Sequence, residues 1–170
     1  PIVRNEHRNN ILHMTIAPAE VSEDVAKEAH ELALRLAQGF ELAGILAIEL
    51  FVTKDERVIV NELAPRPHNS GHYTIEACSF DQFDAHIRGI AGWPLEQPEL
   101  LKPAVMVNVL GQHVAPTRAL IAEHPEWNMH DYCKAEVRHD RKMGHITVLT
   151  DDTRQTVADL ERTGCWDDLK

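Results

Sequence analysis

Aromatic residues and cysteines are scarce in this chain: Phe, Trp and Tyr make up 5% of 170 residues, and there are three cysteines. No apolar run approaches the roughly 20 residues that span a bilayer, and no signal peptide is recognisable. The pattern therefore favours neither a membrane protein nor a secreted one. Cys78, Cys133 and Cys165 are far apart and odd in number, which excludes a disulfide framework and a cysteine-rich metal site. We expect reduced, buried thiols in a cytoplasmic protein.

Basic residues are outnumbered. Lys and Arg total 17 against 27 Asp and Glu, a formal net charge of −10. A nucleic-acid backbone would require a basic face, so the composition argues against DNA or RNA as a partner. Nucleotide binding stays open, because a cation and a few placed Arg and Lys side chains can hold phosphates within an acidic protein. The hydrophobic content of 44% is that of a globular protein with one domain or two small ones.

The first half of the chain predicts mixed helix and strand. Residues 2–6 and 11–17 alternate as short strands, and Ser22 is placed to cap a helix whose apolar face is spaced by three and four residues. That face comprises Val25, Ala29, Leu32, Leu36 and Phe40. A hairpin follows, and then helices over residues 73–78 and 81–90. The stripe expected to face the core in this region comprises Phe80, Phe83, Ile87 and Ile90.

A proline-rich crossing then suggests a domain boundary, which divides the chain into residues 1–98 and 99–170. The second unit reads as small and β-rich. Its predicted strands cover residues 104–110, 129–135 and 145–150, and its predicted helices cover residues 117–123 and 153–162. Strands joined by tight turns and interleaved with helices predict an α+β fold with a mostly antiparallel sheet.

Two carboxylates interrupt the apolar strands of the hairpin. Glu49 is the only charge in its strand, and Glu62 follows an apolar run in the next. A turn centred on Asp55 and Glu56 would place Glu49 directly opposite Glu62, with side chains about 5 Å apart. A shared magnesium ion would relieve their repulsion. A shared proton, or exposure to solvent at the end of the strand, are the alternatives.

The loop after Glu62 carries a resemblance to a known family. The segment NELAPRPHNSGHYT (residues 61–74), and further on KAEVRHDRKMGH (residues 134–145), resemble two stretches of the ATP-grasp ligases called 5-(carboxyamino)imidazole ribonucleotide synthetases. The resemblance implies the C-terminal lobe of an ATP-grasp fold followed by a small β-rich C-terminal domain. It also implies a fragment that holds half of the active site, because the family's preceding nucleotide-fold domain and glycine-rich loop are not in the sequence.

Site roles follow from the resemblance residue by residue. It implies that Glu49 and Glu62 are magnesium ligands, with Asn61 beside them at the ATP site. Strand alternation places Asn61 on the opposite face, which favours a structural hydrogen bond for it. Arg66 is the candidate to stabilise carboxyphosphate, since its fork suits phosphate or bicarbonate, and an ion pair with an acidic neighbour is its alternative. His68 would take up the proton of the attacking amine, or only donate a hydrogen bond.

Substrate contacts are implied for four further residues. Asn69 and Ser70 match positions near bicarbonate and the aminoimidazole, whereas His72 is expected to brace the loop. Lys134 and Arg141 match positions at the 5′-phosphate of the ribonucleotide, although a basic run of this kind is also typical of a solvated surface.

The implied activity is ATP-dependent carboxylation of 5-aminoimidazole ribonucleotide with bicarbonate in purine biosynthesis. The cofactors would be ATP and Mg2+, and the complete enzyme would be a homodimer with no nucleic-acid or membrane partner. One alternative is another ATP-grasp ligase, such as formate-dependent glycinamide ribonucleotide transformylase, which usually has Asp and Thr in place of Asn69 and Ser70. Another is a non-catalytic binding or oligomerisation module, since the isolated fragment is expected to be inactive.

Overall fold

The computed structural model, which describes residues 1–167, contains two antiparallel sheets packed with helices. In chain order, its strands and helices are β1 (Arg4–Arg8), β2 (Ile11–Ala17), α1 (Glu23–Gly39), β3 (Ala47–Val52), β4 (Val58–Ala64), α2 (Thr74–Ala77), α3 (Gln82–Ala91), β5 (Ala104–Leu110), α4 (Val114–Leu120), β6 (Asn128–Asp131), β7 (Lys142–Leu149) and α5 (Thr153–Arg162). One sheet has five strands in the order β1-β2-β5-β7-β6, and β3 and β4 form a separate hairpin. The predicted α+β class with antiparallel pairing is confirmed.

Strand β5 is the centre of the larger sheet. All seven of its residues are buried, because strands lie on both of its edges and side chains cover both of its faces. One core cluster includes Val107, Ile146, Trp127 and Trp166, and a second includes Leu12, Met106 and Tyr73. The near-continuous apolar sequence of β5 follows from this burial.

The larger sheet joins strands from both ends of the chain. Strand β2 pairs with β5, with Ile16 opposite Val105, so residues 1–98 and 99–170 share one sheet. The division into these two units stays a prediction, and residues 168–170 lie outside the described part. Among residues 1–167, no helix has the length and apolar character needed to cross a membrane.

Helix α1 begins where its cap predicts. The Ser22 hydroxyl accepts a hydrogen bond from the Val25 backbone N–H at 3.3 Å. Val25 and Ala29 are buried, as predicted. The predicted apolar face is more exposed to solvent toward the C-terminal end of the helix, where Phe40 is 59% exposed.

Helix α3 turns a different face inward from the predicted one. Asp81 caps it at Phe83 N and Asp84 N, and it buries Gln82 and Ala85. Phe83, Ile87 and Ile90 are 43–58% exposed, so the prediction that they form a core stripe is wrong. The helix is fixed by a close backbone approach, because a Cβ atom on Gly89 would lie 2.8 Å from the nitrogen of Gly44.

Strand bounds in the C-terminal part differ from prediction by a few residues. Strand β6 ends at Asp131 and β7 begins at Lys142. Of the basic segment (residues 134–145), residues 134–141 therefore form a loop. Cys133 lies in this loop with a φ of +51° and an exposed thiol. The expectation of burial is met by Cys78 and Cys165 and is wrong for Cys133.

Candidate active site

Glu49 and Glu62 are directly opposed across the β3–β4 hairpin. The turn assumed from sequence is not the observed one: Thr53 pairs with Arg57, and Glu56 adopts left-handed backbone with φ +58°. That turn alone would place Asn61 opposite Glu49. A bulge between Glu49 and Leu50 changes the register, and Asn61 is the extra residue that brings Glu62 back opposite Glu49.

The bulge also redirects Asn61. Its Nδ2 donates to Glu49 Oε2 at 3.3 Å, so its side chain lies on the side of the hairpin that carries the carboxylates. The expectation that Asn61 points to the opposite face is therefore wrong, because strict alternation fails at a bulge.

The donor set at this pair has the character that magnesium favours. The side chain of Glu49 is 15% exposed, while Glu62 is exposed. Among residues 1–167, no group of three or more His, Cys, Asp or Glu side chains is placed to hold a metal. Glu49 and Glu62 are the two carboxylates here that could hold a magnesium ion, since such an ion commonly takes its other ligands from phosphate oxygens and water.

The loop after β4 is held by a glutamine that sequence reasoning missed. Gln82 Oε1 accepts from the His68 backbone N–H at 2.9 Å, and Gln82 Nε2 donates to the His68 carbonyl at 2.9 Å. Gly71 makes room for this amide, because a Cβ atom there would collide with the Gln82 side chain. The backbone of His68 is therefore fixed on both sides before any ligand binds.

The two predicted catalytic side chains, His68 and Arg66, have different surroundings. His68 Nδ1 lies 2.9 Å from Ser70 Oγ and 3.8 Å from Glu49 Oε1, so the histidine adjoins the carboxylate pair. Arg66 is exposed, and its Nη1 donates to the Pro67 carbonyl at 3.0 Å. Within the described residues it forms no ion pair with a carboxylate, so the alternative proposed for it is not supported.

Asn69 is tied to the core of the larger sheet. Its Nδ2 donates to Asn108 Oδ1 at 2.9 Å, and its Oδ1 accepts from Asn108 Nδ2 at 2.6 Å. Asn108 lies in β5 and is 1% exposed. The loop is thereby anchored to a strand from the far half of the chain.

His72 belongs to a stack of rings beside the loop. It stacks on His145 with ring centroids 4.9 Å apart, and His145 stacks on His130 at 4.5 Å. Burial, aided by nearby cationic groups, lowers the pKa of His72 to about 4 and of His145 to about 3. Gln82 lies 2.8 Å from His72 Nδ1, and this packing agrees with the bracing role expected of His72.

The basic segment lies close to the same site. Lys134 Nζ donates to the Lys142 carbonyl at 2.6 Å and lies 5.4 Å from the centre of the Tyr132 ring. Burial lowers the pKa of Lys142, and the nearby charge of Glu49 opposes that shift. Glu49 is thus close enough to Lys142 for its charge to influence the protonation of that lysine.

Arg141 is held at the edge of the segment by a backbone contact, with Nη1 donating to the Glu136 carbonyl at 3.0 Å. Arg138 forms an ion pair with Glu136. Gly111 allows the segment to approach the end of β5, because a Cβ atom at Gly111 would collide with the Arg138 carbonyl.

Four residues of the site were not predicted to belong to it: Gln82, Asn108, Tyr132 and Lys142. Asn108 could have been noticed from the sequence, because it is the only polar residue in the apolar strand AVMVNVL. Gln82 and Tyr132 lie in polar surroundings that do not distinguish them, whereas Lys142 lies in the basic segment of residues 134–145 but was given no role of its own.

Comparisons with known proteins agree with this geometry. Residues 1–83 match the ATP-grasp domain family, and residues 104–159 match the family described as the phosphoribosylaminoimidazole carboxylase C-terminal domain. The fold and the paired carboxylates thus define an ATP-grasp protein. Together with the similarities below, the two matches show that the chain belongs to the N5-carboxyaminoimidazole ribonucleotide synthase family.

Individual relatives are similar along nearly the whole chain. The N5-carboxyaminoimidazole ribonucleotide synthase of Staphylococcus aureus strain COL is 48% identical over 161 residues, which is 94% of this chain and 42% of the relative. The solved ADP complex of PurK, N5-carboxyaminoimidazole ribonucleotide synthetase, superposes with a TM-score of 0.96 at 43% identity, covering 99% of this chain and 45% of that one.

An Aspergillus clavatus relative was solved with ADP and 5-aminoimidazole ribonucleotide. It gives a TM-score of 0.88 at 32% identity and covers 98% of this chain and 46% of that one. The chain therefore spans less than half the length of these relatives.

Proposed function

We propose that this chain forms part of an ATP-dependent enzyme that carboxylates 5-aminoimidazole ribonucleotide with bicarbonate by way of carboxyphosphate. The observation that carries the proposal is the meeting of three groups at one place. These are the opposed Glu49 and Glu62, the braced loop with His68 3.8 Å from Glu49, and the basic segment. Lys134 of that segment lies over the ring of Tyr132, and the Tyr132 ring lies 6.0 Å from the ring of His72 in the loop. The relatives named as synthases, and the one solved with ADP and the ribonucleotide, support it.

Glu49 and Glu62 would hold magnesium at the terminal phosphates of ATP, with Asn61 supporting Glu49 through its amide. The metal, when bound, would neutralise phosphate charge during phosphoryl transfer. Arg66 is exposed and forms no ion pair with a carboxylate within the described chain, so the N–H donors that the Pro67 carbonyl does not engage are available for bicarbonate or carboxyphosphate.

His68 would serve the second step. The amine nitrogen attacks the carboxyl carbon, the bond from that carbon to the phosphate oxygen breaks, and the nitrogen loses one proton. With Nδ1–H donating to Ser70 Oγ, the His68 ring is held in place and its Nε2 is left to take that proton. Asn69 and Ser70 would contact the substrate, and Lys134 and Arg141 would pair with its 5′-phosphate, where two cations match a dianion.

The isolated chain is expected to be a binding module without turnover, because it spans 42% of its S. aureus relative. The proposal is tested by assaying the complete protein for ADP formation and for carboxylated product, with bicarbonate or formate as the one-carbon substrate. Bicarbonate-dependent product that is lost in Glu62→Gln and retained in the surface control Glu28→Gln is the expected result. Formate-dependent product would overturn the proposal in favour of a transformylase.

Three predictions from sequence belong to this proposal: a cytoplasmic location, a homodimeric complete enzyme, and no nucleic-acid or membrane partner. Sedimentation of the complete protein would test directly whether it is a homodimer.

A further inference from the structure

The side-chain amide of Gln82 has only one possible orientation. The backbone N–H of His68 can only donate, and it lies 2.9 Å from Gln82 Oε1. The backbone carbonyl of His68 can only accept, and it lies 2.9 Å from Gln82 Nε2. Exchanging the two ends of the amide would set donor against donor and acceptor against acceptor. Because Gln82 is 7% exposed, water has little access to relieve such a mismatch.

The backbone beneath this amide is fixed as well. The Gln82 backbone N–H donates to Thr74 Oγ1 at 3.0 Å, and the Thr74 hydroxyl donates in turn to the Gly71 carbonyl at 2.6 Å. Gly71 leaves the amide its space, because a Cβ atom there would collide with Gln82 Oε1. Gln82 is therefore held in position by the same loop whose His68 it binds.

The orientation of Gln82 decides the tautomer of His72. Gln82 Nε2 carries two N–H groups, of which one donates to the His68 carbonyl. His72 Nδ1 lies 2.8 Å from the same nitrogen. An amide nitrogen does not accept hydrogen bonds, so the second N–H must donate to His72 Nδ1. His72 is therefore a neutral imidazole with its proton on Nε2.

The surroundings of His72 favour this neutral form. Its ring packs nearly parallel to those of Phe83 and His145, with centroids 5.6 and 4.9 Å away. Burial, followed by the charge of nearby cationic groups, lowers the pKa of His72 to about 4. The titratable groups around it are Lys142, His130, His68, His145 and Tyr132. Near pH 7 the second N–H of Gln82 thus keeps its acceptor.

Gln82 therefore joins two histidines through one amide. A proton on His72 Nδ1 would face the Gln82 N–H as a second donor, and turning the amide over would break both bonds to His68. We propose that Gln82 is a positioning residue for the reaction, which holds His68 where it takes up the proton of the amine, and which can do so only while His72 Nδ1 accepts. The inference rests on the proposed function in one respect, the role of His68 in that proton transfer.

The first test uses this chain and needs no activity. Nitrogen-15 NMR of the histidine side chains near pH 7 should show His72 with a proton on Nε2 and none on Nδ1, and His72→Gln identifies its signals by their absence. Gln82→Glu replaces the donor by an acceptor and should place a proton on His72 Nδ1. Gln38→Glu, the same chemical change on the exposed surface of α1, should leave His72 as in the wild type.

Two results would contradict this polarity. One is a wild-type His72 that carries a proton on Nδ1. The other is an Nδ1 that stays without a proton in a folded Gln82→Glu chain.

The second test uses the complete enzyme and measures carboxylated product per ADP formed. His68 would act after ADP has formed, so its misplacement should lower this ratio and leave the KM for ATP unchanged. Gln82→Glu should lower the ratio by about tenfold or more, since misplacing a reacting group by about 1 Å can cost on the order of 100-fold. Gln38→Glu should leave it unchanged.

Two further variants complete this test. His68→Asn should lower the ratio at least as much as Gln82→Glu, and the double variant should lower it no further, because the glutamine acts through the histidine. Gln82→Met has a similar length and no N–H donor, and it should give the same fall without introducing a charge.

An unaltered ratio in a folded Gln82→Met enzyme, or independent losses that multiply in the double variant, would overturn the positioning role. A wild-type enzyme that forms no carboxylated product from the amine would instead overturn the proposed function, and the NMR experiment would still decide the polarity of Gln82.

Discussion

Removing one charge from the opposed carboxylate pair should stabilise the metal-free chain. Glu49 and Glu62 lie opposite each other, which places their Cβ atoms about 5 Å apart, and we take the same separation for their charges. Two unit charges at that distance repel by ~3 kcal/mol at an effective dielectric constant of about 20 and by ~1 kcal/mol at about 80. Glu62 is exposed, and the Asn61 amide already offsets part of the charge on Glu49. We therefore expect Glu62→Gln to raise the free energy of unfolding by about 1 kcal/mol, the lower of these limits.

The assay is urea unfolding of this chain, first with a chelator and then with magnesium. Magnesium at about ten times its dissociation constant should stabilise the wild type by ~1.4 kcal/mol, because it binds only the folded state. Glu62→Gln should lose this gain. Glu28→Gln, on the exposed surface of α1, is the matched control and should behave as the wild type.

Two results would refute this reasoning. One is a Glu62→Gln chain that is less stable than the wild type in chelator, because the two carboxylates would then not repel. The other is an equal gain from magnesium in both chains, because the ion would then bind elsewhere.

Two further predictions concern buried His13 and the close approach at Gly111. Burial lowers the pKa of His13 from 6.5 to about 3, and neither ring nitrogen has a partner. The unfolded state therefore binds more protons, and stability should fall as the pH drops from 6.5 toward 3. The loss is about 2 kcal/mol at pH 5, and His13→Leu should remove it in urea titrations at pH 5 and 7.5. Gly111→Ala should lower the free energy of unfolding by about 1–3 kcal/mol, since its Cβ atom would collide with the Arg138 carbonyl. Gly39→Ala should not lower it, because nothing lies within 4 Å of that Cβ position; thermal melts of the two variants measure the difference.

Local signals predicted the elements of this fold well. Ser22 caps α1 where its hydroxyl suggests, and α5 has the bounds read from its sequence. The pairing of Glu49 with Glu62 was also predicted, but from an incorrect turn whose error the bulge at Asn61 offsets. A bulge inserts a residue without a local sequence signal, so the direction of Asn61 could not be predicted from alternation.

Contacts between residues that are far apart in the chain could not be predicted from the sequence. The inward face of α3 depends on Gly44 and Gly89 meeting in space, and helical periodicity alone favoured its most apolar stripe. Gln82, Asn108 and Tyr132 act through partners 14, 39 and 13 residues away in the chain. Their local sequence carries no trace of those partners, apart from the isolated polarity of Asn108 in β5.

The pairing of β2 with β5 has a practical consequence. If the chain were cut in the proline-rich crossing between α3 and β5, three contacts would still join the two pieces. These are the β2–β5 pairing, the Asn69–Asn108 amide pair and the 2.6 Å contact between Glu76 and His130. Expressed separately, the pieces should find each other and reassemble. The chain is thus a natural candidate for a split reporter in which reconstitution brings the loop back beside its anchoring strand.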